Sequence, residues 1–138
     1  MNRKMIGILI IGHEQLGASF LDCIVHILGE QPPLLLNHVI PPAVDPDREA
    51  VKLQTVLKQL DQGSGVLILT DIFGATPANI ARRLIQHGQI ECLAGLNLPM
   101  LLRALQHRHK PMPLLVEKVL TGTRESIIHI FPEAGDAK

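Results

Sequence analysis

Four short apolar runs recur along the chain, at 5–11, 34–40, Val66–Thr70 and Ile90–Ala94, each followed by a longer stretch whose apolar residues return every three or four positions. Strand-length runs alternating with amphipathic, helix-length segments are the pattern of repeated βα units. Such units lay successive strands into one parallel sheet with helices on its faces. The composition agrees: 46% of the residues are hydrophobic, yet there is no Trp or Tyr and only three Phe. The core must therefore be built from Leu, Ile, Val and Ala, as in sheets buried on both faces. A chain of 138 residues is one domain of ordinary size, able to bury roughly two-thirds of its unfolded surface. We place a single domain at 1–131 and a flexible tail at 132–138.

Local signals set the expected element boundaries. Leu16, Phe20, Cys23, Ile24 and Ile27 make a stripe at helical spacing over 15–28, stopped by Gly29. Pro32-Pro33 and Pro41-Pro42 bracket the second apolar run. Asp45-Pro46 starts a helix, with Asp45 able to cap orphan amides and Pro46 suited to the first turn. Thr76-Pro77 repeats that signal and predicts a helix to about Gln86, with Ile80, Ala81, Leu84 and Ile85 inward. Asn97-Leu98-Pro99 opens another helix through Leu105, and 114–120 predicts a further one. Residues 126–131 read as a strand. The path to it through Gly122 is too short for another parallel crossover, so it should pair antiparallel at an edge. An apolar edge needs cover, and a second copy of the chain is one way to supply it.

Charge and cysteine content narrow the functional classes. Thirteen basic residues balance thirteen acidic ones, so no long-range field draws nucleic acid or an anionic membrane to the chain. Stacking platforms for bases are nearly absent. Cys23 and Cys92 lie in apolar stretches without a Cys-x-x-Cys pair and read as two buried free thiols of a reducing, cytoplasmic compartment. The first apolar run is too short for a membrane span and is not followed by a small-residue cleavage site. P-loop, dinucleotide and nucleophile-elbow motifs are missing.

Ligands of an open parallel sheet sit beyond the carboxyl ends of its strands. Three loops qualify there: Gly12-His13-Glu14, 71–76, and Gly95-Leu96-Asn97. Within them, His13 and Asp71 form a pair with a chemical logic. A carboxylate on one imidazole nitrogen fixes the tautomer and leaves the other lone pair free, either to attack an electrophile or to take a proton. Thr76 offers a hydroxyl at a helix start and Gly74 lets backbone approach closely, an arrangement that suits a phosphoryl dianion. Plainer roles compete: His13 as a loop residue, Asp71 as a turn or cap former, Thr76 as an ordinary N-cap. The remaining histidines, His26, His38, His87 and His129, are assigned to structure or solvent. His107 and His109 belong to a solvated basic helix end, His107-Arg108-His109-Lys110, with poor spacing for a metal.

These loops resemble a known family. Ile11-Gly12-His13 with Leu16-Gly17-Ala18, the run Thr70-Asp71-Ile72-Phe73-Gly74-Ala75-Thr76-Pro77-Ala78-Asn79, and Ala94-Gly95-Leu96-Asn97-Leu98-Pro99-Met100-Leu101 stand in order at strand ends, and Thr121-Gly122-Thr123-Arg124-Glu125 follows. Together they look like the IIA component of the mannose/fructose/sorbose class of the bacterial phosphoenolpyruvate-dependent sugar phosphotransferase system. The resemblance implies four parallel strands flanked by helices, plus an antiparallel fifth strand exchanged between the subunits of a homodimer. It implies that His13 accepts a phosphoryl group from phospho-HPr on Nε2, that Asp71 holds Nδ1, and that Gly74, Ala75 and Thr76 bind phosphate. A IIB component takes the group onward, and the membrane is met only through a permease complex. No cofactor or metal is implied. Two departures stand out: Ala75 occupies a position that is glycine in many relatives, and Ile72 one that is threonine in some. A free-standing IIA serves either a sugar permease or a regulatory phosphorelay. Two other readings are a non-transferring module that senses an anion or partner in the same crevice, and a hydrolase using His13 as base.

Overall fold

The computed structural model describes residues 4–133. Its elements run β1 (Gly7–Gly12), α1 (Leu16–Leu28), β2 (Leu35–Val39), α2 (Pro46–Leu60), β3 (Val66–Thr70), α3 (Thr76–Arg82), β4 (Ile90–Ala94), α4 (Leu98–His107) and α5 (Met112–Glu125). The four strands form one sheet in the order β2-β1-β3-β4, all parallel, with Ile11 paired to His38 on one side and to Thr70 on the other. The open α/β sheet expected from the alternation is therefore present.

Right-handed crossovers decide which helix covers which face. The chain steps one way from β1 to β2 and the opposite way from β2 over β1 to β3 and β4. Accordingly α1 lies on one face and α2 with α3 on the other. Alternate residues of each central strand feed the two cores. Ile8, Ile10, Leu67 and Leu69 pack with Ile24 of α1 and with Leu101, Leu115 and Val119 of the last two helices. Leu9, Ile11, Val66 and Ile68 pack with Leu53, Leu57 and Ile80. Both central strands are fully buried, which is why they read as unbroken apolar runs.

Several boundaries differ from expectation for local reasons. Helix α3 ends at Arg82 rather than near Gln86, because the backbone of Gln86 exchanges two hydrogen bonds with Ile90 and turns the chain into β4. Leu84 is buried as expected, while Ile85 is exposed. On α1 the inward face is held by Gly17, Phe20, Leu21 and Ile24, which leaves Leu16 and Ile27 well exposed. Cys23 falls outside that stripe and is exposed, so the expectation of two buried thiols is corrected. Cys92 is partly covered on β4, and burial pushes its thiol up to about 11.

One correction concerns the last third. The basic cluster after α4 is not a solvated helix end, because Arg108 is buried and its guanidinium donates to the carbonyls of Ile6, Pro33 and Leu34 at 3.0, 2.7 and 2.7 Å. Beyond α5 the expected antiparallel edge strand is not formed within the chain. Residues 127–133 pair with no strand among the described residues, and Ile127, Ile128, Ile130 and Phe131 are exposed. The outer edge of β4 is correspondingly open beyond the Gln86 bridge. The tail expected over 132–138 lies, from 134 onward, outside the described residues.

Candidate functional site

β1 and β3 are neighbours, so the loops that leave their carboxyl ends are brought side by side. His13 follows β1 and Asp71 follows β3, and the two meet: His13 Nδ1 lies 2.8 Å from Asp71 Oδ2, and the His13 backbone N–H donates to the same oxygen at 2.9 Å. The Ile72 N–H donates to Oδ1 at 2.9 Å. Gly12 allows the approach, since a Cβ there would stand 3.2 Å from Asp71 Oδ2.

Partial burial of Asp71 disfavours its charge, but the two N–H donors and the imidazole outweigh it and hold the carboxyl below its ordinary value. Asp71 is thus an acceptor only at neutral pH, and Nδ1 must carry the proton between them. Nε2 then has a free lone pair. It has no partner among the described residues, and the His13 side chain is 49% exposed against 9% for Asp71. A shielded anion orients an accessible nitrogen. Such a pair can act as a nucleophile or as a base.

The ring faces a cleft of about 350 Å³ lined by residues 12–15, 39–43, Thr76 and Pro77. Two of its residues, Glu14 and Ala43, hold left-handed backbone at φ 52° and 57°, a conformation that costs side-chain-bearing residues energy and tends to collect at sites. Thr76 is the first residue of α3, and Ala75, not Thr76, occupies the N-cap. Thr76 is exposed and lines the cleft. Gly74 has φ 89° and open space where a Cβ would be, so it is required by its turn rather than by close packing. Neither Gly74 nor Ala75 lines the cleft.

Of the three loops expected to converge, the one at 95–97 does not. β4 lies beyond β3, and the N–H groups of Gly95 and Leu96 are tied to the Thr70 carbonyl. The cleft is walled instead by the end of β2 and the loop that follows it, 39–43, whose prolines signal only a turn in the sequence. The strand order that places it there was not legible locally. His38 pairs with buried Glu49 at 2.8 Å, and exposed His87 with Glu91 at 3.2 Å, which keeps both with structure.

A doubly wound sheet with an oriented, accessible histidine at its switch point defines a class of α/β proteins whose ligand crevice lies beyond the carboxyl ends of the strands. Comparison with known proteins makes this specific. The model of the mannose-type EIIA family, described as the fructose IIA component of the phosphotransferase system, matches residues 7–126. The chain belongs to this family. It is 35% identical to the fructose-specific EIIA component of Bacillus subtilis, over 75% of this chain and 71% of that one. It is 32% identical to the mannose-specific EIIAB component of Escherichia coli, over 75% of this chain but only 32% of that longer protein. Among solved structures, an EIIA component from Streptococcus agalactiae superposes with a TM-score of 0.78 at 28% identity, covering 91% of this chain and 97% of that one. The mannose/sorbose IIA subunit from Enterococcus faecalis shares the fold, with a TM-score of 0.77 at 22% identity and coverage of 94% and 98%. Membership places the chain among the phosphotransfer components of sugar phosphotransferase systems. No helix among the described residues is long and apolar enough to cross a membrane.

Proposed function

We propose that the protein is a cytoplasmic phosphocarrier that takes a phosphoryl group from phospho-HPr onto Nε2 of His13 and delivers it to a IIB component. The observation that carries this reading is the 2.8 Å contact of His13 Nδ1 with a shielded Asp71 carboxylate, with Nε2 unpartnered beside the cleft. In the transfer, the Nε2 lone pair forms the new bond to phosphorus, while the donor keeps the electron pair of the bond that breaks. The proton on Nδ1 stays between His13 and Asp71, so the positive charge that develops on the ring is met by a fixed negative one. Of the turn residues expected to bind phosphate, Thr76 is the one that lines the cleft, and its hydroxyl supplies a donor for the phosphoryl oxygens.

Incubation with phosphoenolpyruvate, enzyme I and HPr should label the protein at His13. The label should be lost in His13→Ala, and it should be acid-labile, as a phosphoramidate is. Equal labelling of His13→Ala overturns the assignment. Binding of phosphate-bearing ligands without any label favours a sensing module instead.

A homodimer belongs to the same proposal. The four exposed apolar side chains of 127–131 and the open edge of β4 support strand exchange between copies. Light scattering that finds only monomer at micromolar concentration counts against it.

A further inference from the structure

The surroundings of His13 are short of positive charge. Glu14 lines the cleft, Asp71 is bonded to the ring, and no Lys or Arg is among the lining residues. A phosphoryl group arriving there adds close to two further negative charges. A second crevice, of about 320 Å³, shares Thr76 with the cleft and is lined also by Pro46, Asn79, Arg82 and Arg83.

The two arginines differ in how they are used. Arg83 is engaged: its Nε donates to Asp47 Oδ1 and its Nη1 to the Asn79 carbonyl, both at 2.8 Å. The Arg82 side chain makes no ion pair and no hydrogen bond among the described residues, and only its backbone carbonyl is engaged, accepting the Ile85 N–H at 3.4 Å. Its guanidinium instead lies over the ring of Phe73, 5.7 Å from the centroid. Phe73 is 73% exposed and precedes α3, whereas Arg82 is the last residue of that helix. Across the length of α3 the two side chains meet, and Arg82 lines the same crevice as Thr76. A face of an aromatic ring holds a cation weakly and leaves its charge unneutralised.

We propose that Arg82 is a further catalytic residue of the reaction proposed above, on which this inference rests: during transfer its guanidinium leaves Phe73 and donates to the non-bridging oxygens of the phosphoryl group bound for His13. The bonding changes remain those of the transfer itself. A nitrogen–phosphorus bond forms at Nε2, the bond to the donor's leaving atom breaks with its electron pair kept by the donor, and Arg82 retains all its protons. Its part is to offset charge on the oxygens through a planar fork of N–H groups, which suits a phosphoryl group in flight. Phe73 serves as a perch that keeps the cation near the site without a competing carboxylate.

The test is single-turnover transfer from phosphorylated HPr to the wild-type chain, Arg82→Gln and Arg82→Lys. Arg82 is exposed, so both variants should melt with the wild type. Arg82→Gln should lower the maximal rate about ten- to a hundredfold, below the loss seen for fully enclosed oxyanion donors, with the half-saturating HPr concentration within about twofold. Arg82→Lys should recover part of the rate, because it keeps the charge and loses the fork. A maximal rate for Arg82→Gln within about twofold of wild type overturns the inference, as does a loss confined to half-saturation. Wild-type protein that takes no label overturns the reading of His13 and this inference with it. Labelling with no effect of Arg82→Gln overturns this inference alone.

Discussion

Replacing Arg108 by Met should destabilise the fold far more than its place in a basic cluster after a helix implies. The guanidinium reaches from the end of α4 to three backbone carbonyls in two segments distant in sequence, the residue before β1 and the turn that enters β2. It is 3% exposed and, although burial lowers its pKa to about 10, it is charged at neutral pH. The Leu34 carbonyl also accepts the Ile8 N–H at 2.9 Å, so the substitution leaves the Ile6 and Pro33 carbonyls as the groups that lose their partner. A buried group left unpaired costs about 1–3 kcal/mol, while removing a buried charge and adding apolar surface returns part of that. The net loss is about 3 kcal/mol, against a total of about 5–15 kcal/mol for a domain. For a chain of this length that lowers Tm by about 10 °C. Calorimetry and urea unfolding measure it directly, and Arg108→Lys, which has the charge without the fork, should fall between. A Tm for Arg108→Met within about 2 °C of wild type, at an unchanged urea slope, refutes the clamp.

Two predictions concern Asp71. Asp71→Asn keeps an acceptor for the Nδ1 proton but gives up the charge that faces the ring, so labelling of His13 should slow by about a hundredfold; a rate within threefold of wild type removes Asp71 from the reaction. Because its carboxyl titrates below the ordinary 3.8 in the fold, the stability it contributes is complete above that value and is lost as pH falls through the lowered one. Urea unfolding below about pH 4 should therefore show a shallower acid decline for Asp71→Asn than for wild type. The decline should persist in part, since Asp61 is lowered too: burial works against it, but the side chain of Gln89 and the N–H groups of Gly63 and Gly65 outweigh that.

Much of the site was legible because its signals are local. Gly12-His13 ends a strand-length apolar run, and Asp71 ends another, so a parallel sheet is enough to bring both to one rim. The β2–α2 wall was not legible, since Pro41-Pro42 and Ala43 carry no chemical mark and join the cleft only through β2 lying beside β1. Arg82 was hidden for a related reason. An arginine at a helix end is normally solvated, and its place over Phe73 joins residues at opposite ends of α3. Arg108 misled in the opposite direction, because nothing next to it in sequence says that three carbonyls wait for it.

The sequence by itself determined the number and kind of the βα units and the residue types at the strand ends. Hydrophobic period and helix caps act over a few residues, and those forces are written in order along the chain. The tertiary structure alone decided the strand order, the exclusion of the 95–97 loop from the cleft in favour of 39–43, and the burial of Arg108. Each of these depends on contacts between segments tens of residues apart, which the handedness of the crossovers and the packing of two helix layers select, and which no local pattern encodes.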